Sequence, residues 1–99
     1  MALDFYNWDD TKLTNMLFSF DDYHMNAFVN VQAEYKRLTG LYIDAYRTTR
    51  IHQSHVELII EIINKAINNG VNNKQDKKHL LYIFECLKLA TNGLLAVGD

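Results

Sequence analysis

Residues 4–20 read DFYNWDDTKLTNMLFSF, and the assignment of this stretch decides the fold. Phe5, Tyr6 and Trp8 stand among Asp4, Asp9 and Asp10, ahead of the first apolar pattern with helical spacing. That pattern is Leu13, Met16, Leu17 and Phe20, with apolar side chains recurring one, three or four residues apart as on one helix face. Asp9 or Asp10 precedes it, and either can cap a helix N-terminus. The stretch reads as an aromatic-acidic arm over residues 1–10, followed by a short first helix. Phe5 and Trp8, three apart, suit an early turn or strap packed inward. Tyr6, Asp9 and Asp10 suit contact with another protein, and the two roles are compatible.

A second helix follows from a start signal at Ser19. Ser19 serves as N-cap, Asp22 stands three residues on as a weaker capping-box partner, and Phe18 and Tyr23 flank it as a hydrophobic staple. His24, Phe28, Val31, Tyr35, Leu38, Tyr42 and Ala45 then recur at steps of four and three. That seam predicts one long helix over about 19–50. The third helix has the clearest box, SHVE at residues 54–57, with Ser54 as N-cap and Glu57 at the third helical position. VELIIEIINKAI (56–67) is isoleucine-rich but lacks strict alternation, so a helix buried on several sides is expected. NNG (68–70) ends it, with Gly70 placed for a left-handed cap. The fourth starts near Asn73, with Asp76 in its first turn and Leu80, Ile83, Phe84, Leu87, Ala90 and Leu94 inward. Either Asn92-Gly93 ends it, or the helix frays through to Gly98.

The whole suits a single all-α domain over residues 1–99, a compact antiparallel bundle of about four helices. The absence of proline, only four glycines and an apolar fraction of 48% fit that expectation. A chain this size buries most of its apolar surface without metals or disulfides. Net charge is −2 and Cys86 is the lone cysteine. A lone thiol suits a reducing, cytoplasmic setting. The N-terminus carries acids where a signal peptide needs bases, and no apolar run reaches membrane-spanning length.

Chemistry finds little support in the sequence. HQSH (52–55) offers His52 and His55, but zinc needs three or four converging ligands and no paired-cysteine or H-E-x-x-H spacing exists. Glu34, Asp44, Glu57 and Glu61 read as exposed carboxylates, and Cys86 lacks the partners of a catalytic thiol. No phosphate-binding glycine loop is present. No catalytic residue, metal or cofactor is therefore expected. Lys36, Arg47, Arg50, Lys74, Lys77 and Lys78 are basic, but the net charge argues against nucleic acid.

Two binding surfaces remain. Residues 1–34 carry six acids against Lys12, and residues 35–50 carry four bases against Asp44. The acidic end nominates Tyr6, Trp8, Asp9, Asp10, Asp21, Asp22 and Tyr23 as the contact set of an inhibitor, immunity or regulatory protein that blocks a basic partner. The alternative is a homodimeric structural or regulatory helical protein, with at most a weak nucleic-acid contact and with Met25, Val29, Ile43, Tyr82 and Leu89 at the self-interface.

Overall fold

Leu3 and Phe5 alternate with Asp4 and Tyr6, and Phe18 and Phe20 flank Ser19. This period of two belongs to strands that bury one face. The computed structural model describes residues 3–70 and 73–98 and pairs these two segments as antiparallel strands. The elements are β1 (Leu3–Asn7), β2 (Met16–Phe20), α1 (Asp22–Thr39), β3 (Thr48–Ile51), α2 (Gln53–Asn68), α3 (Lys74–Leu87) and β4 (Leu94–Gly98). The four strands form one antiparallel sheet in the order β2-β1-β4-β3. The architecture is thus α+β, and the all-α bundle is overturned by this sheet.

Each departure has a local cause. Leu3–Asn7 of the arm form β1, residues 1 and 2 lie outside the described residues, and the expected first helix is a turn plus β2. Leu13, Met16, Leu17 and Phe20 match helical spacing, yet aromatic β2 residues favour a pleated surface. The expected long helix ends at Thr39, where Gly40 adopts φ 77° and its N–H bonds back to the Lys36 carbonyl at 2.7 Å. Tyr42 and Ala45 continue the seam spacing but lie in the loop to β3. The N-cap of α1 is Asp21 rather than Ser19, in a capping box completed by His24. α2 begins two residues early: His52 is its N-cap, and the Ser54–Glu57 box does not form. α3 starts as expected, with the Asn73 side chain accepting from Gln75 N–H at 2.9 Å. It stops at Leu87, so Leu94 belongs to a strand.

The three helices pack pairwise and share one cluster with the sheet. Phe28, Val31 and Tyr35 of α1, Val56, Ile59 and Ile63 of α2, and Ile83 and Leu87 of α3 meet Leu3, Phe5, Phe18, Phe20, Ile51, Leu94 and Ala96. Cross-strand register agrees: Phe5 stands opposite Phe18 and Ala96, and Ala96 opposite Thr49. All three helices therefore cover the same face of the sheet. Two glutamines brace the connections. The Gln32 side chain donates to the Ile43 carbonyl at 2.7 Å and accepts from Ile43 N–H at 3.1 Å, seating Ile43 at 3% exposure. The Gln53 side chain likewise donates to the Ala90 carbonyl and accepts from Gly93 N–H at 2.7 Å.

Gly40 and Gly93 are both left-handed, but their surroundings differ. A Cβ on Gly40 meets nothing within 4 Å, whereas one on Gly93 lies 2.6 Å from the Ile51 carbonyl oxygen and 3.0 Å from the Trp8 ring. Gly40→Ala should cost only the left-handed penalty, about 1–2 kcal/mol. Gly93→Ala should cost clearly more, because backbone must move. Urea unfolding of the two variants checks this, and equal losses would contradict the close packing at Gly93.

Candidate functional site

With the helices on one face, the other face of the sheet is open, and the register defines what stands on it. Met16 pairs with Tyr6, Tyr6 with Leu95, and Leu95 with Arg50. These four side chains form one row across all four strands. A second row runs Ser19, Asp4, Val97, Thr48. Leu95 is buried at 3% exposure yet stands outside the core cluster, at the register position between Tyr6 and Arg50.

The row exists because of a bulge. Strict alternation would put Met16 on the same face as Phe18 and Phe20. The register shifts between Phe5 and Tyr6, so that Phe5 faces Phe18 but Tyr6 faces Met16. The extra residue, Leu17, packs against the core, and Met16 turns to the open face at 55% exposure. An inserted residue flips the strand beyond it in this way.

Trp8 closes one end of the face. Its ring lies 4.7 Å from the His52 ring, with the Arg50 guanidinium carbon 5.1 Å from its centroid. The Arg50 guanidinium also donates to the Trp8 carbonyl at 3.1 Å. Trp8 therefore reaches from β1 over Gly93, at the start of β4, to β3. In the adjoining turn the Asp10 carboxylate accepts from Thr14 N–H at 3.0 Å and from Asn15 N–H at 2.8 Å. Those backbone donors hold its carboxyl below the ordinary carboxylate range. Asp10 organises its own loop, while Asp9 is exposed beside Trp8. On the second row, the Ser19 hydroxyl donates to the Asp4 carboxylate at 2.8 Å.

The structure divides the expected contact set. Tyr6, Trp8 and Asp9 lie on or beside the open face. Asp21, Asp22 and Tyr23 follow Phe20, which pairs with Leu3 at the opposite end of β1, roughly 17 Å away at ~3.3 Å per strand residue. There Tyr23 is 70% exposed and stacks over His79, while His24 stacks on Tyr82. Burial pushes the His24 imidazole below its ordinary value; the Asp21 carboxylate opposes this and His79 adds to it. Of the self-interface set, Ile43 is buried and Met25 is half-buried against the core. Val29, Tyr82 and Leu89 are exposed at 59%, 41% and 57%.

A groove of about 360 Å³ also runs between α1 and α2, lined by Val31, Leu38, Leu58 and Ile62. Glu34 with Arg37, and Glu61 with Lys65, form ion pairs at its margin. Among the described residues, no group of three or more His, Cys, Asp or Glu side chains is arranged to hold a metal ion. Burial raises the Cys86 thiol above its ordinary value. No helix among those residues is long and apolar enough to cross a membrane.

Met16, Arg50, Leu95 and Val97 were missed in the sequence. TTRI is a β-branched run and LLAVG a short apolar run after Asn-Gly, both of them strand signals. Comparison with protein-family models, curated proteins and solved structures returned no match for this chain.

Trp8 is the only tryptophan, so its fluorescence reports this end of the sheet directly. Arg50→Ala should leave the fold intact and make Trp8 more accessible, raising acrylamide quenching and shifting emission to the red. An unchanged spectrum would mean that Arg50 does not shield the ring.

Proposed function

We propose that this chain is a non-enzymatic binding protein that blocks a partner protein through the open face of its sheet. The observation that carries the reading is the Met16–Tyr6–Leu95–Arg50 row, with Trp8 at its end. Methionine, tyrosine, tryptophan and arginine are the residues enriched in the centres of protein interfaces. A sheet face made only for solvent favours polar and charged side chains, and here the polar ones are confined largely to the neighbouring row. Asp9 beside Trp8 suits a partner with a basic segment. Nucleic acid is disfavoured, because Arg50 shares the face with Asp4 and the net charge is −2. Inhibition in this reading is steric, so the protein brings no catalytic group, metal or cofactor. The buried, lone Cys86 supports placing it in the cytoplasm.

A self-association reading has one observation in its favour. Tyr82, on α3, and Leu89, in the turn just past the end of that helix, are both exposed. Light scattering separates this reading: a dimer that becomes monomeric on Leu89→Glu would favour it.

The blocking reading is tested by capture from the source lysate with wild type, Tyr6→Ala, Met16→Glu and Leu89→Glu. The partner should be lost with the two sheet-face variants and kept with Leu89→Glu. Once the partner is identified, Tyr6→Ala should weaken binding by about 2 kcal/mol, roughly thirtyfold in Kd. Sheet-face variants that fold and bind as wild type would refute the assignment of this face.

A further inference from the structure

The rings of His24, His79, Tyr23 and Tyr82 meet where β2, α1 and α3 converge, away from the open face. We propose that the Asp21–His24 joint is an acid-sensitive latch, fastening the start of α1 when His24 is neutral and loosening it when His24 is protonated.

The capping box supplies the chemistry. Asp21 Oδ1 accepts from His24 N–H at 2.9 Å, and His24 Nδ1 accepts from Asp21 N–H at 3.1 Å. The third helical position of such a box is ordinarily Glu or Gln, whose side-chain oxygen remains an acceptor at neutral pH. A histidine nitrogen accepts only while it carries no proton. Protonation at Nδ1 ends the bond and leaves the Asp21 N–H without that partner. It also places a cation in the first turn of α1, against the positive end of the helix dipole.

The neighbours decide which way the balance falls. From α3, the His79 ring stands edge-on at 5.2 Å and Tyr82 is stacked at 4.2 Å with an interplanar angle of 13°. Cys86 lies beyond Tyr82, and burial keeps both the phenol and the thiol neutral across the imidazole range. From α1, Tyr23 lies over His79, and Asp22 occupies the first turn. β2 presents Phe20 and the Ser19 carbonyl, which accepts from the Tyr82 hydroxyl at 3.3 Å. Asp21 Oδ1, 3.1 Å from Nδ1, favours the imidazolium, but its side chain is 59% exposed, so the attraction is screened. Burial, the helix dipole and His79 act together against it, and the folded chain holds the His24 proton more weakly than the ordinary value of 6.5. An unfolded chain then binds more protons through this range, so stability is full above it and falls as pH drops through it.

Urea unfolding between about pH 7.5 and pH 5.5, on either side of the unperturbed histidine pKa, tests the latch in wild type and His24→Gln. Glutamine keeps the box and removes the titration. The wild-type midpoint should fall with pH, while the variant should keep its neutral-pH midpoint and lose most of the slope. Proton NMR should place His24 below the ordinary imidazole value, with the protection of the Asp21 amide, relative to its intrinsic exchange rate at each pH, falling as His24 takes up its proton. The proposal fails if His24→Gln loses stability with acid as steeply as wild type. It also fails if His24 titrates at or above the ordinary value.

Discussion

The Phe5 ring is fully buried at the middle of the sheet, 4.7 Å from the Phe18 ring and 4.6 Å from the Phe20 ring. Its strand lies between β2 and β4, so the first strand of the chain is hydrogen-bonded to the last. The three helices have no sheet to pack against until those two segments meet. From the far end of the sequence, Ala96 stands opposite Phe5 and Leu94 opposite Asn7, both on the core face. Such pairing requires a long chain to close before its contacts are gained. Aromatic stacking at this position is the interaction on which the helical layer, the bulge and the open face all depend.

The helices were more legible than the strands for a physical reason. α2 and α3 each span about four turns, so Val56, Ile59, Ile63, Leu80, Ile83 and Leu87 repeat often enough to mark a face. Four- and five-residue strands offer at most three inward positions each. β4 obscured even that signal, because Leu94 and Ala96 face the core while Leu95 and Val97 occupy the other side. A run apolar on both faces has no alternation to read. In β2 the bulge broke the alternation, and the resulting spacing imitated a helix. The false extension of α1 arose differently: Tyr42 and Ala45 continued its seam by coincidence, while Gly40 had already supplied the left-handed stop.

The candidate site was legible as residue types but not as a surface. Tyr6 and Trp8 stood out because aromatics beside acids near a chain end are conspicuous. Their neighbours come from other strands, and only register brings Met16, Leu95 and Arg50 alongside. Asp9 stands apart from Asp21 and Tyr23 because antiparallel pairing carries the chain back along β1, placing them at opposite ends. The two ends use their aromatics differently. Trp8 bridges three strands, whereas Tyr23 and Tyr82 enclose the paired histidines of the α1 joint.

The sheet edges bear on how a partner would be read. On β2, the outward Ser19 carbonyl already accepts from Tyr82, and the bulge interrupts the ladder further along. β3 has only four residues, and exposed Thr48 and Arg50 lie along it. Short, bulged or side-chain-capped edges resist strand addition, the route by which many sheets capture peptides through main-chain hydrogen bonds. That route is poorly available here. Recognition through the sheet must then come from side chains standing on its face, where a single change such as Met16→Glu alters the surface without touching the backbone pairing. A side-chain surface discriminates between partners more sharply than a backbone edge, because every strand offers the same amides and carbonyls but not the same exposed Met16 and Arg50 and half-buried Tyr6.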